Sequence, residues 1–274
     1  MVVPSALVAR ISSLPPLATE VLAGYVAGSA KTALFFPLDT ITTLRESRVS
    51  TRLRSTSSYY TGLGVTLLGA LPYAVLFHTA FHVCERTLSA AGMAAAAIQL
   101  WAGMAGAIAA ALVGVPFECM KHRLQYGRAN GVVAWSNPRK VLIGTIRQNG
   151  IRGLYTGLGS TLARNVPYNA LHFGLFEAFT RYLSALPAGL CSMIAGAFAG
   201  ALTALLTTPL DMINTRIQVG TNNTASVTDL IAQIWNEEGG PVAFMQGAGV
   251  RVAQYAPSAL VFFAVYRFIK TACI

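Results

Sequence analysis

Apolar residues dominate six long stretches of the chain, and polar or basic segments separate them. The stretches lie near residues 17–44, 60–86, 94–124, 152–182, 188–218 and 243–270. Each is long enough to cross a bilayer as a helix, which needs roughly 20 residues. They lack the strict alternation of barrel strands and are rich in alanine, leucine and small residues three or four apart. The pattern therefore favours membrane helices over a closed barrel.

One pattern occurs three times along the chain. Each copy has a proline followed two residues later by an acid, then a glycine that opens the next apolar stretch, then a second proline ten residues after that glycine. The three sets are Pro37, Asp39, Gly62 and Pro72; Pro116, Glu118, Gly157 and Pro167; and Pro209, Asp211, Gly247 and Pro257. A repeat of this length predicts three similar structural units. We place them at residues 1–92, 93–185 and 186–274, each with the order helix, basic segment, helix.

The connecting segments differ between the copies. Asn137 to Asn149, before Gly150, and Ser226 to Glu238, before Gly239, each predict a short amphipathic helix. The first connection is shorter by about one such helix. Its stretch from Arg48 to Ser58 is rich in serine, threonine and arginine and predicts a loop.

Charge is scarce: 54% of the 274 residues are hydrophobic and only 11% are charged, against about a quarter in soluble domains. Most side chains must therefore face something other than water. Much of the net charge of +10 lies between paired helices, where basic residues bind anionic lipid head groups. No soluble basic face predicts nucleic-acid binding. The four cysteines are scattered, and no metal cluster or nucleophile–base pair predicts a metal site, a cofactor or an enzyme.

The proline–acid motifs and the glycines that open the following helices resemble the mitochondrial carrier family over essentially the whole chain. The resemblance implies an all-α membrane protein whose six transmembrane helices form three tandem two-helix repeats with threefold pseudosymmetry. It implies transport of a small-molecule substrate by alternating access. It also implies a monomer in the mitochondrial inner membrane, with cardiolipin bound at the basic matrix side. Peroxisomal and plastid membranes remain alternatives, because members there share the motif.

The resemblance further implies a matrix gate, formed by residues near the acids. By position it pairs Asp39 with Lys121, Glu118 with Asn214, and Asp211 with Thr42. Because asparagine and threonine replace the family's bases, we expect one ion pair and two neutral hydrogen bonds, and hence a lightly locked gate. Gln125 and Gln218 stand where family members brace such pairs, and Glu46 occupies that place in the first copy.

A cytoplasmic gate is implied at the ends of the even-numbered helices. Glu177 and Lys270 can pair in the family's sense, whereas Glu85 and Arg267 stand at partner positions with their signs exchanged. His82 and Thr180 complete this set.

The substrate positions follow from the same register. Seven residues after the repeat glycines stand Gly69, Arg164 and Gln254. The resemblance implies that this trio faces a central cavity and that Asn165 also contacts substrate. An arginine within an apolar stretch needs a water-filled cavity and an anionic or polar partner. Its planar fork suits a carboxylate.

Aromatic residues occupy the next positions in this register. Tyr73 and Tyr168 lie eleven residues after their glycines, and Phe77 and His172 lie fifteen after. An aromatic cavity with one arginine favours a ligand with a flat ring and a carboxylate, and an aromatic face can hold a cationic group. Arg251, four residues after Gly247, is interpreted as packing or gate support.

Local stretches are most similar to the S-adenosylmethionine carriers, notably Phe36 to Ile41, Val115 to Arg123 and Gly150 to Tyr155. Asn165 departs from the acid usual there, and Lys31 lies beside Thr32, which stands where those carriers often have an acid. The first hypothesis is exchange of S-adenosylmethionine for S-adenosylhomocysteine. The alternatives are an iron carrier, suggested by Asn165 to Tyr168 with His172, a carrier of another carboxylate-bearing metabolite, and a scaffold that has lost transport.

Overall fold

The computed structural model describes residues 16–51, 53, 55–220 and 226–273, and each regular element in these ranges is helical. The helices are α1 (Pro16–Glu46), α2 (Leu63–Ala90), α3 (Ala95–Asn130), α4 (Pro138–Asn149), α5 (Leu158–Tyr182), α6 (Ala188–Val219), α7 (Val227–Glu237) and α8 (Ala248–Cys273). Short 3-10 helices, Thr56–Tyr60, Ile151–Tyr155 and Gly240–Met245, precede α2, α5 and α8.

The six long helices form a closed ring. Each of α1, α2, α3, α5, α6 and α8 contacts the next, and α8 returns to α1. Helices α1, α3 and α6 also contact one another, so the bundle closes at one end. Three helical stretches within the described residues are apolar enough by themselves to cross a membrane, Thr56–Ala90, Ala97–Asn130 and Gly189–Val219. The predicted all-α fold of six membrane helices in three pairs is confirmed.

The predicted connecting helices are present as α4 and α7. Helix α4 begins where the Asn137 side chain accepts a hydrogen bond from the Lys140 backbone N–H at 2.8 Å, and it ends at Gly150 with φ of 64°. The Ser226 hydroxyl likewise caps α7. Such side-chain oxygens satisfy N–H groups that have no partner within the helix. The first connection has no counterpart of α4 in its described residues, as its composition predicted.

Counted as membrane helices alone, α1, α3 and α6 are the first, third and fifth, and we call them the odd helices. The second, fourth and sixth are α2, α5 and α8, and we call them the even helices. Three glycines mark the start of the even helices. Gly62, Gly157 and Gly247 precede α2, α5 and α8 with φ of 94°, 84° and 91°, values that other residues rarely adopt. Each glycine also lies against the neighbouring odd helix of the ring: Gly62 against Lys121 of α3, Gly157 against Gln218 of α6, and Gly247 against Glu46 of α1. The repeat therefore brings the first turns of α2, α5 and α8 onto the closed end of the bundle.

Glycines within the helices allow aromatic rings to approach closely. The Phe77 ring lies over Gly106 of α3, and the Tyr255 ring lies over Gly200 of α6. A Cβ atom on Gly106 would come within 2.9 Å of the Phe77 backbone oxygen. Because backbone cannot move aside like a flexible side chain, the contact between α2 and α3 requires a glycine at this position.

The substitution Gly106→Ala should lower the free energy of unfolding by about 1–3 kcal/mol, the usual cost of overpacking. Gly28 in α1 is the matched control, because a Cβ atom there would meet nothing within 4 Å. Gly28→Ala should leave stability unchanged or raise it slightly, since alanine favours a helix. Thermal unfolding of both purified variants in one detergent measures the difference. Equal melting temperatures for the two variants would contradict the packing described here.

Candidate functional site

A central cavity of about 430 Å³ is lined by all six long helices. Its lining extends from Lys31 on α1 to Glu46, the last residue of that helix. The cavity is partly open, and its lining extends to residues where α1, α3 and α6 contact one another. A cavity of this size suits a small molecule. We call its closed end the floor, defined by seven charged residues: Asp39, Glu46, Glu118, Lys121, Arg164, Asp211 and Arg251.

The first floor contact joins α1 to α3. Lys121 Nζ donates to both carboxylate oxygens of Asp39, at 2.9 and 3.1 Å. Gln125 Nε2 lies 3.4 Å from Asp39 and donates to the Thr40 hydroxyl at 3.0 Å. The structure thus places Asp39, Lys121 and Gln125 together in the arrangement expected for a braced pair.

The second acid has a different partner from the expected one. Glu118 accepts a hydrogen bond from Arg164 Nη1 of α5 at 2.7 Å, and the same nitrogen lies 3.4 Å from Asp211 of α6. Asn214 instead accepts hydrogen bonds from Ser160 and Thr161 at the start of α5. The expected Glu118–Asn214 contact is therefore wrong, because Arg164 of α5 donates to the Glu118 carboxylate instead.

The third acid also pairs with an arginine from an even helix. Asp211 lies 2.5 Å from Arg251 Nη1 of α8, and that nitrogen is 3.5 Å from Glu46 of α1. The hydroxyl of Thr42 donates to the Leu38 carbonyl of its own helix. The expected Asp211–Thr42 contact is therefore wrong as well, and Arg251 supplies the charge that Thr42 lacks.

These contacts form two groups of charges that together involve five helices, and we call the two groups the ring of charges. The first group is Asp39 on α1 with Lys121 on α3. The second runs from Glu118 on α3 through Arg164 on α5, Asp211 on α6 and Arg251 on α8 to Glu46 on α1. The expectation of a lightly locked gate with one ion pair is wrong, because two arginines replace the missing bases. A buried charge without a partner is costly, so each contact supports its neighbours.

The repeat glycines explain how the arginines reach the floor. Gly247 and Gly157 hold the first turns of α8 and α5 against α1 and α6. Arg251 follows Gly247 by four residues, about one helical turn, and Arg164 follows Gly157 by seven, about two turns. Both side chains therefore project from the same short region that the glycines bring into contact with the odd helices.

A second layer of polar contacts seals the bundle below the floor. Arg123 Nε donates to the Gln218 carbonyl at 3.0 Å, and Arg216 Nε donates to the Glu46 carbonyl at 2.8 Å. Each arginine thus satisfies a carbonyl near the C-terminal end of the neighbouring odd helix, where helices leave acceptors without partners. Leu44 stands at the equivalent position of the first repeat, so the α1–α3 junction relies instead on the Asp39–Lys121 pair and on Gln125, which donates to Thr40.

Five predicted substrate residues line the cavity: Tyr73, Arg164, Asn165, Tyr168 and Gln254. Arg164 Nε donates to the Asn165 side chain at 3.1 Å, and the hydroxyls of Tyr168 and Tyr255 are 3.0 Å apart. A wall of polar and aromatic groups therefore stands above the floor. Whether these residues contact a substrate stays a prediction.

The other three predicted substrate residues are held by neighbouring side chains. Gly69 is buried, and its open side meets Phe117 of α3, so the expectation that it faces the cavity is wrong. Phe77 packs over Gly106 and stacks with Tyr73. His172 stacks between Tyr168 and Phe176. Neither Phe77 nor His172 belongs to the cavity lining described above.

The predicted cytoplasmic gate is only partly described. The side chains of Arg267 and Lys270 lie outside the described residues, so their predicted pairs are not seen. Glu85 contacts His82 at 3.0 Å, and Glu177 contacts Arg181 of its own helix. Thr180 accepts a hydrogen bond from Cys191 through its backbone carbonyl.

Sequence reasoning interpreted Arg251 as packing or gate support and placed Glu46 at a bracing position, but it paired neither residue with a gate partner, although the chain carries a signal for both. The first repeat has Thr42 where a base is expected and Glu46 where the other repeats have glutamine. That copy therefore has an extra acid and lacks a base. A compensating cation is expected nearby, and Arg251 is the arginine at the start of the helix that packs there.

Comparison with known proteins gives a consistent result. The sequence model of the family described as "Mitochondrial carrier protein" matches residues 93–186 and 188–274. S-adenosylmethionine carrier 1, chloroplastic/mitochondrial, of Arabidopsis thaliana is 33% identical over 252 residues, covering 89% of this chain and 75% of the relative. The mitochondrial S-adenosylmethionine carrier protein of Xenopus tropicalis is 31% identical over 266 residues, covering 92% and 95%. Mitochondrial glutamate carrier 2 of Mus musculus is 39% identical over 121 residues, but covers only 41% of this chain.

The substitution Arg251→Gln should destabilise the protein by about 3–5 kcal/mol, the usual cost of removing one partner of a buried ion pair. Arg181→Gln is the matched control, because its pair with Glu177 is solvent-exposed and should contribute at most about 1 kcal/mol. Adding Glu46→Gln to Arg251→Gln should restore part of the loss by removing an uncompensated acid. Thermal unfolding of the purified variants measures these effects. An Arg251→Gln protein as stable as Arg181→Gln would contradict the ring.

Proposed function

The chain belongs to the mitochondrial carrier family, and we propose from this premise that it exchanges S-adenosylmethionine for S-adenosylhomocysteine. The family makes it a multi-pass transporter of a small molecule in the mitochondrial inner membrane, and not an enzyme. The similarity to S-adenosylmethionine carriers over about nine-tenths of the chain supports this choice of solute.

The charge balance of the floor is the observation that carries the proposal. The floor has four carboxylates, Asp39, Glu46, Glu118 and Asp211, but three cations, Lys121, Arg164 and Arg251. The excess of negative charge attracts a cationic ligand, and low-dielectric walls strengthen that attraction. S-adenosylmethionine carries a sulfonium cation, whereas S-adenosylhomocysteine carries none. The floor can therefore distinguish the two partners of the exchange.

The wall above the floor suits the rest of the molecule. Tyr73 and Tyr168 offer aromatic faces from α2 and α5 for the adenine ring or the sulfonium group. Asn165 and Gln254 offer amide groups to the ribose hydroxyls or the amino group. We assign these four residues, with Arg164, to the substrate site.

Arg164 links binding to gating in this proposal. It lines the cavity, yet its Nη1 atom holds Glu118 and Asp211 together. A solute can pass the floor only if the ring of charges opens. Polar groups of the solute that draw Arg164 away from one acid weaken the ring at that point. Because a ligand shifts an equilibrium only through its different affinity for the two states, this contact favours opening only when solute is bound.

The exposed basic residues of the carrier also indicate which kind of lipid lies beside it. Helix α4 exposes Arg139, Lys140 and Arg147 at the closed end of the bundle. Basic residues near a membrane surface attract anionic lipid head groups, and we propose cardiolipin as the lipid there. We further propose that the carrier acts as a monomer, since the cavity is formed within one chain.

Liposomes that contain the purified protein and unlabelled S-adenosylhomocysteine should take up labelled S-adenosylmethionine. Arg164→Ala should reduce the rate by at least about tenfold, because it removes a buried partner of two acids. Arg181→Ala, an exposed arginine on the same helix, should keep the wild-type rate.

Two results would contradict this proposal. One is wild-type protein that does not exchange S-adenosylmethionine but transports iron or another carboxylate-bearing metabolite. The other is full exchange by Arg164→Ala.

A further inference from the structure

Lys31 is a fourth cation in the cavity and stands apart from the floor. It lies on α1, eight residues before Asp39, which places it about 12 Å further along the helix axis. Its side chain is half-buried and lines the same cavity as Arg164 and Tyr168. A lysine in the middle of a membrane helix is normally paired or functional.

The other three cavity cations all have carboxylate partners. Lys121 bonds Asp39, Arg164 bonds Glu118, and Arg251 contacts Asp211. Among the residues that the structure describes, Lys31 forms no ion pair and no hydrogen bond. Asp39 acts on it only at longer range, and both oxygens of that acid already accept from Lys121. His172 of α5 also interacts electrostatically with Lys31, but a histidine carries no negative charge.

We infer that Lys31 binds the carboxylate of the transported solute. This inference rests on the proposed function and changes the role first expected of Arg164. Two donor atoms of Arg164 are committed within the protein, Nη1 to Glu118 and Nε to Asn165. Lys31 has no such partner among the described residues, and a solute carboxylate would supply the anion that this part of the cavity lacks.

The two ends of the cavity then bind opposite charges. The carboxylate of S-adenosylmethionine lies at Lys31, and its ammonium and sulfonium groups point toward the floor, where acids outnumber cations by one. A ligand with the reverse arrangement would bring like charges together at both ends. Lys31 therefore selects for adenosyl compounds that keep the amino-acid carboxylate.

The test compares S-adenosylmethionine with its decarboxylated analogue, which differs only in the carboxylate. Each unlabelled compound competes for uptake of labelled S-adenosylmethionine into liposomes. Wild-type protein should prefer the carboxylated compound by at least about tenfold, the usual contribution of a hydrogen bond to a charged group. Lys31→Gln should lose most of this preference, and Lys31→Arg should keep it. Arg181→Gln removes an exposed cation of α5 and serves as the control.

A second readout separates binding from structure. Without ligand, Lys31→Gln should melt at the wild-type temperature or above it, because it removes a half-buried charge that has no partner. S-adenosylmethionine should raise the melting temperature of wild-type protein and of Arg181→Gln more than that of Lys31→Gln. A lower melting temperature of ligand-free Lys31→Gln would indicate a structural role and overturn the inference.

The failures of the two proposals are distinguishable. If wild-type protein neither exchanges nor is stabilised by S-adenosylmethionine, the proposed function fails, and the inference fails with it. If wild-type protein exchanges S-adenosylmethionine and Lys31→Gln keeps the full preference for the carboxylated compound, the proposed function stands and the role of Lys31 is overturned.

Discussion

A carboxylate buried in a membrane protein needs a cation beside it, and this chain places four carboxylates along the floor of one cavity. Burial of an unpaired ion costs several kcal/mol even after relaxation. The odd-numbered helices supply a single gate cation, Lys121. Arg164 and Arg251 therefore come from even-numbered helices to complete the set. Contacts between different repeats hold the closed end together, so the even helices contribute directly to the matrix gate.

Repetition made most of the fold predictable. Several features of the fold depend only on local backbone geometry, so they can be predicted from residue type and spacing. They are the prolines, the glycines Gly62, Gly157 and Gly247, and the helix caps Asn137 and Ser226. The Asp39–Lys121 contact also follows from register. The partners of Glu118 and Asp211 do not, because they depend on how far the first turns of α5 and α8 reach toward the odd helices. Gly69 is another case in which register was not sufficient. Its position in the repeat predicted that it faces the cavity, but Phe117 of α3 fills the space beside it.

The departures from the family's motif compensate one another within the chain. Thr42 and Glu46 leave the first repeat with too much negative charge, and Arg251 balances it. Asn214 contributes no charge and instead joins Ser160 and Thr161. One consequence is that Arg164 both pairs with the acids of the matrix gate and lines the cavity. Solute recognition and opening are thereby joined at a single side chain, while Lys31 remains available for a separate contact.

The central claim is that Glu118 is held by Arg164 rather than by the asparagine expected from register. Two double-mutant cycles on melting of the purified protein test it, one with Glu118→Gln and Arg164→Gln, the other with Glu118→Gln and Asn214→Ala. Residues in direct contact couple by about 0.5–3 kcal/mol, whereas independent sites add within about 0.5 kcal/mol. The account predicts clear coupling in the first cycle and additivity in the second. Additivity between Glu118 and Arg164, with coupling between Glu118 and Asn214, would contradict it.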